Sequence, residues 1–542
     1  MKIIIGTKPG GHKMAIYINQ IGYDINGKKH ATISGCKGYE LIDQEGKVVL
    51  SGQAEALSFD ESSGEEIALI DFSDVKEAGT YYFKDSDGNC SYHFQIGNKL
   101  YEDVAKDALK MFYFQRCGME LEEKYAGKFA HKACHTKPVS ILRREEEIVD
   151  CCGGWHDAGD YGKYTTPGAV ALAHLLYAYE LNKEAFVDEI GIPESGNGVP
   201  DILNECRYEL EFLLKMQEKD GGVAHKCTAL LHPDFVMPED DEPPFYRIPV
   251  SSLATADYAA ICAMAVRIYE KYDTDFADRL RKSAVDAWEW LLKNPGLDFE
   301  DPAESKTGAY DDCCDADERL WAAVEIYRLT KDDRCIGVIN QIFEMRICLT
   351  ALGWKDVGGL AAMAALTAKK DTFDPFITER FRDAWITEAD RLVKVAEANS
   401  FDIAMHAYDF GWGSNMVVLT NAMVLCFGAK LTGEAKYQTA ALYQLDYIFG
   451  RNPLAISYVT GYGEHAFKQP HNRPTIVDGV EEPIPGYVSG GPNKAPCDPD
   501  ALAAIPEHTA PMKCYVDDWR SYSTNEITIY WNSPLVFILS FL

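Results

Sequence analysis

Polarity along the chain changes its period once. Between residues 14 and 97 short β-type runs recur, namely "AIYIN", "HATISG", "YELID", "KVVLSG", "IALIDF", "TYYFKD" and "SYHFQIG". Turn-forming stretches such as "DING", "QEGK" and "DSDGN" separate them. Alternation sends every second side chain to one face, and strands of this length and spacing predict an immunoglobulin-like β-sandwich. Beyond residue 98 the spacing becomes helical. Leu100, Val104, Leu109 and Phe112 share one helix face. Further helices are predicted to start near residues 167, 200, 253, 277, 314, 333, 356, 377, 414, 434 and 526. Two of these starts carry explicit signals. Thr166 precedes Pro167, and Pro200–Asp201 places an imino residue and an acid where the first-turn amides lack partners. About twelve helices with almost no strand pattern, in one domain spanning 98–542, predict two rings of paired helices, an all-α (α/α)6 barrel. Residues 451–525 break the pattern with Gly, Pro, His and Tyr, and so long an irregular segment in a compact domain is expected to be an ordered functional loop.

Composition narrows what such a barrel can bind. The formal net charge is -31, which argues against nucleic acid and anionic membrane surfaces as partners. Aromatic residues make up 12% of the chain, and their rings suit either a core or a sugar-stacking cleft. The apolar run Ile3–Ile5 is too short for the core of a secretion signal, and no stretch of 18 apolar residues is evident. With sixteen cysteines read mostly as reduced thiols, a cytoplasmic location is the expectation, or secretion if a leader has been removed. Composition and pattern leave the oligomeric state open and point to no organic cofactor.

Candidate chemistry concentrates in "GGWHDAGDYGKY" (153–164). Asp157 and Asp160 flank Ala158–Gly159, and two acids so close cannot both stay ionised in a dry site without a partner. Their spacing alone fits a turn before a helix as well as a pair of carboxylates holding a nucleophilic water. A third acid, Glu526, follows Asn525 at the expected start of the last apolar helix, with Thr524 as the expected cap. Glycoside hydrolysis needs this division of labour, one carboxylic acid for the leaving oxygen and one carboxylate for the water. Cys117, Cys134, His135 and His156 would complete a tetrahedral zinc set with no open position, with His131, Cys151 and Cys152 as competing ligands. Glu194, Asn197 and Asp201 offer oxygens for a possible calcium loop, and "GAYDDCCDADE" (308–318), with Asp311, Asp312, Asp315, Asp317 and Glu318, offers another. Each acidic loop also reads as a turn with a helix cap.

Taken in order, "INQIGYD" (18–24), "GGWHDAGDYGKY", "GNGVPDILNE" (196–205), "LLKMQ" (213–217), "RLWAAVEIYR" (319–328), "FGWGSN" (410–415), "DYIFGRNP" (446–453), "PHNRP" (470–474) and "NEITIYWNSPLVF" (525–537) span most of the chain. In this order they resemble family 9 glycoside hydrolases, in the subgroup with an N-terminal immunoglobulin-like domain. The resemblance implies inverting hydrolysis of β-1,4-glucosidic bonds in cello-oligosaccharides and soluble β-glucans. It places the general base on Asp160, a water-holding aspartate on Asp157 and the general acid on Glu526. It also implies sugar contacts at His471 and Arg473, candidate ring contacts at Trp412 and Tyr522, a structural zinc on the Cys, Cys-His, His set, and calcium. Alternatives are a secreted endoglucanase on longer polymers, an exo-acting glucosidase or glucosaminidase, and a non-catalytic sugar-binding protein.

Overall fold

The computed structural model describes residues 15–54, 57–296 and 299–542. The Ile3–Ile5 run and the domain start at Met14 lie outside them. Nine strands form two facing sheets: β1 (Ile16–Tyr17), β2 (Gly22–Asp24), β3 (His30–Ser34), β4 (Gly38–Asp43), β5 (Val48–Gln53), β6 (Ser58–Asp60), β7 (Glu65–Asp71), β8 (Gly79–Asp85) and β9 (Phe94–Gly97). One sheet runs β1-β3-β7-β6 and the other β2-β9-β8-β4-β5. Ile33, Leu41, Ile70, Phe83 and Phe94 fill the space between them, as the alternation requires. This is an immunoglobulin-like sandwich.

Twelve long helices follow: α1 (Glu102–Phe114), α2 (Thr165–Leu181), α3 (Asp201–Met216), α4 (Ser252–Tyr269), α5 (Thr274–Lys293), α6 (Ala316–Thr330), α7 (Asp333–Phe343), α8 (Gly358–Thr367), α9 (Pro375–Glu397), α10 (Ser414–Thr432), α11 (Ala435–Ile448) and α12 (Ile529–Leu539). Sequence decides which ring each joins. The even-numbered helices are small or apolar on most faces and buried nearly throughout, as in α2 and α12. The odd-numbered ones are amphipathic, as in α5 and α7. A helix apolar all round needs neighbours on every side, whereas an amphipathic helix covers a layer with one face. The even helices therefore make the inner ring, with α2 packed on both α4 and α12, and the odd helices cover it, giving the (α/α)6 barrel. By length and mean hydropathy the 19-residue α10 could cross a membrane, although Asn415, Asn421 and Lys430 keep it from being a run of 18 apolar residues. Here it is an inner-ring helix, packed against α9, α11 and α12.

Two local expectations change. The cap of α12 is Thr528, which accepts from the Trp531 amide, so Glu526 lies in extended backbone before the helix rather than in its first turn. After residue 98 the helical period also hides a five-stranded sheet, in the order 144–149, 139–141, 245–247, 226–229, 163–164. Its strands are two to six residues long, too short for a two-residue period to stand out. All sixteen cysteines are unbridged.

The sandwich is joined to the barrel through buried polar contacts. His30 Nδ1 lies 2.7 Å from Asp402 Oδ2, which Arg451 also holds at 2.6 Å. Asn19 donates to Asp446 at 2.8 Å, and the His30 ring stacks on Tyr443. Replacing His30 with Ala leaves a buried carboxylate short of a partner. The expected cost is about 1–3 kcal/mol, read as a lower Tm with kcat unchanged at 25 °C.

Candidate active site

The catalytic loop begins where α1 ends. Gln115 accepts from the His156 amide at 2.7 Å and donates its side-chain amide to the carbonyls of His156 and Ala158, both at 3.0 Å. Gly154 sits at φ 78°, and a Cβ there would lie 2.6 Å from the Phe212 ring. Gly159 is required by close approach, since a Cβ would come within 2.0 Å of the His471 carbonyl oxygen. The turn is tied to both distant segments. The Arg473 amide donates to Gly159 O at 3.0 Å, and the Ile529 amide donates to Asp157 O at 2.8 Å. The Gly490 amide holds Glu526 O at 2.8 Å, and the His471 amide holds Asn525 O at 2.9 Å. Asp157, Asp160, His471, Arg473 and Glu526 are thereby gathered from three parts of the sequence.

Their environments divide the three acids. Burial raises the Asp160 carboxyl, but His232 at 3.3 Å, Arg473 and the Gly162 amide outweigh it and hold the group down to about 2. Burial, with the Asp160 charge, pushes Asp157 up to about 8 against the opposing hydrogen bond from Tyr310 at 2.5 Å. The other oxygen of Asp157, Oδ1, is buried without a protein partner, which suits a bound water. Enclosure and the neighbouring charges of Asp160 and Asp157 push Glu526 well above the usual carboxylate range. The site thus sets a carboxyl that is held down, Asp160, beside one that is pushed up, Glu526, the division that acid–base catalysis uses.

The sugar-contact candidates fall into two kinds. His471 gives Nδ1 to the Trp519 carbonyl at 2.6 Å, and burial pushes its pKa down to about 4, so the ring is neutral. Arg473 spends Nε on Pro233 O and Nη1 on Gly159 O, so much of its donor set fixes the loops. Trp412 is 50% exposed and lies 5.6 Å from Tyr522, whose ring in turn meets His471 at 5.9 Å. These rings border open space instead of filling the barrel core. His232, Tyr310 and Gln115 escaped sequence reasoning. None lies in a recognisable spacing, and Tyr310 sits in a stretch, 308–318, whose conspicuous residues are its acids.

The donor atoms of Cys117, Cys134, His135 and His156 lie within 4.8 Å of one another, a group able to hold a metal ion. His135 Nε2 is 3.1 Å from Asp241 Oδ2, the carboxylate–histidine pairing that orients imidazole ligands. The competing residues point elsewhere. His131 Nδ1 faces Lys132 O, Cys152 donates to Gly118 O, and Cys151 pairs with Cys227. The Glu194, Asn197 and Asp201 oxygens already carry protein partners. Arg116 takes both oxygens of Glu194, and Asp201 accepts from Ile190 N, Ser195 Oγ and Asn204 Nδ2. Asn197 Oδ1 accepts from Val199 N. In the second acidic run Asp315 pairs with Arg319 and Asp317 accepts from the Val357 amide.

Three buried carboxyls gathered from distant segments, on an (α/α)6 barrel behind an immunoglobulin-like domain, fit a glycoside hydrolase. Residues 101–539 match glycosyl hydrolase family 9, and residues 12–88 match the cellulase N-terminal ig-like domain. The chain belongs to glycosyl hydrolase family 9. It is 42% identical to a cellodextrinase of Butyrivibrio fibrisolvens, over 97% of this chain and 99% of the relative. A mutant thermostable endoglucanase from Alicyclobacillus acidocaldarius superposes with a TM-score of 0.91 at 35% identity, covering 97% of this chain and 99% of that one. A zinc-binding triple mutant of a family 9 endoglucanase superposes at 0.90 with 32% identity, over 95% and 99%.

Proposed function

We propose that this enzyme hydrolyses β-1,4-glucosidic bonds of cello-oligosaccharides with inversion. Asp160 acts as the general base, Asp157 holds the water and Glu526 acts as the general acid. The observation that carries this reading is the gathering of Asp157, Asp160 and Glu526 from distant segments, with Asp160 bonded to His232 and Asp157 to Tyr310. Glu526, protonated, gives its proton to the glycosidic oxygen as the bond to the anomeric carbon breaks. Asp160, ionised, takes a proton from the water attacking the opposite face. The neutral His471 and the rings of Trp412 and Tyr522 border the sugar. Short cellodextrins are favoured as substrate by the relative named a cellodextrinase. The second reading, endo-action on longer β-glucans, draws on the half-exposed Trp412 and on the endoglucanases among the similar structures.

The test is the anomer formed first from cellotetraose, followed by 1H NMR. An α-configured new reducing end, with cellobiose and glucose accumulating, is the expected outcome. A β product would overturn inversion. A rapid viscosity drop of soluble cellulose derivatives, outpacing the release of reducing ends, would favour endo-action.

For the metal group we propose zinc in a structural role. Two thiolates and two imidazoles match its preference for tetrahedral N/S ligation, and four protein ligands leave no exchangeable position for chemistry. Bound there, zinc would fix Cys117, Cys134, His135 and His156 relative to one another, one residue before Asp157.

A further inference from the structure

The segment 230–236 follows the strand Lys226–Ala229 and passes beside Asp160 and His471. Its backbone is pinned from three sides. Leu230 O accepts from the Lys306 amide at 2.7 Å, Pro233 O from Arg473 at 3.0 Å, and Val236 O from Tyr161 Oη at 2.6 Å. Phe235 lodges between Trp519 and His471, with ring centroids 4.9 and 5.8 Å away, and under the Arg473 guanidinium at 5.1 Å. The loop is therefore held by the same residues that form the active centre. His232 stands out in it, with a side chain 49% exposed and Nδ1 3.3 Å from Asp160 Oδ2.

An ionised carboxylate only accepts, so Nδ1 must carry the hydrogen. Among the described residues the other donor to Asp160 is the Gly162 amide at 3.4 Å, and it addresses the same oxygen, Oδ2. Both contacts thus gather on one oxygen and leave Oδ1 for the attacking water. We propose that His232 is the positioning residue of the general base, fixing Asp160 through Oδ2 so that Oδ1 meets the water. This rests on Asp160 being the base. His232 touches neither water nor leaving group in this role and acts through the carboxylate. Its contact also bears on the ionisation of Asp160, together with the other groups facing that carboxyl, namely Asp157, Glu526, Arg473, Tyr164, Lys226 and His471. His232 itself also faces His471.

The experiment compares His232→Ala and His232→Asn with the parent enzyme on cellotetraose across the pH range. Loss of the donor in His232→Ala lets the carboxylate rotate. The expected result is a kcat about ten- to a hundredfold lower, the scale of a small misplacement of a reacting group, with KM little changed. Asp160 also loses a contact that holds its carboxyl down, so it stays protonated to higher pH. The acid limb of kcat/KM should then move up by about one pH unit. In His232→Asn the amide restores a donor without a charge, so kcat should recover in part while the limb stays displaced. Because the ring is half exposed, both variants should keep the parent Tm, and should His232→Ala not fold, His232→Asn alone decides through the limb. An unchanged kcat and limb in His232→Ala overturns the proposal, and so does a change confined to KM, which would make the residue a sugar contact. Asp160→Asn separates this from the reading beneath it. An inactive Asp160→Asn beside a wild-type His232→Ala refutes only the role of His232, whereas an active Asp160→Asn removes the base assignment itself.

Discussion

Glu526→Gln should hydrolyse cellotetraose at least about a thousandfold more slowly than the parent enzyme while keeping its fold. General acid catalysis is worth roughly 10²–10⁴-fold, and an unactivated alkoxide is a leaving group poor enough to need most of it. The loss should depend on the leaving group. An aryl cellobioside that expels a nitrophenolate needs no proton, so Glu526→Gln should retain much of its activity there. Asp160→Asn should fail on both substrates, because activation of water is required whatever departs. Equal losses for Glu526→Gln on both substrates would remove it from the acid role. The pH profile follows with a definite sign. Asp160, held down to about 2, stays a carboxylate until the pH falls to that region, so kcat/KM declines only in strong acid. Glu526, pushed well above its usual range, loses its proton only at higher pH and sets the basic limb. A working range bounded by these two groups is broad, and the basic limb should vanish in Glu526→Gln for the nitrophenyl substrate.

What the sequence reveals here follows physical range. The two rings of helices are legible because each helix is long enough to repeat its period several times, and because inner and outer helices differ in how many faces are apolar. The five-stranded sheet is hidden because its strands are held by partners far along the chain, as in the pairing of Lys163 with Cys227. The same reason explains the site. Asp157 and Asp160 are visible as a local spacing, and Glu526 by its place before an apolar helix. Thr528 rather than Thr524 caps that helix, since residues 522–525 form a short helix of their own, which one more turn of pattern cannot disclose. His232 and Tyr310 are conspicuous only once the loops fold together, because each touches its aspartate across 72 and 153 residues respectively. Glu194 and Asp201 show the converse. Their local spacing suits an ion, yet Arg116 and the loop's own donors satisfy them.

Removing the metal should unfold the catalytic loop as well as stop turnover. Cys134→Ser takes away one of four ligands and should leave the purified protein nearly free of zinc, measured by elemental analysis. Structural zinc sites contribute binding energy directly to folding. Spread over a barrel this large, the expected fall in Tm is of the order of 5–10 °C. Activity should fall with it, because His156 precedes Asp157 and is fixed through Gln115, whose amide also holds Ala158 O. Without the metal, Cys117, Cys134, His135 and His156 are left as three buried donors and one half-buried, crowded within 4.8 Å, two of them thiols hydrogen-bonded to each other. That crowding favours displacement of the segment, and with it the turn bearing both aspartates. The comparison that decides the role is chelation followed at low temperature. If the stripped enzyme loses turnover at an unchanged Tm, zinc has a part in the chemistry and the structural assignment is wrong. If Tm and turnover fall together and return together on adding zinc, its work is to hold the chain in place. His156→Ala should behave as Cys134→Ser does, and full zinc occupancy in that variant would mean that another residue, with His131 the nearest rival in sequence, completes the site.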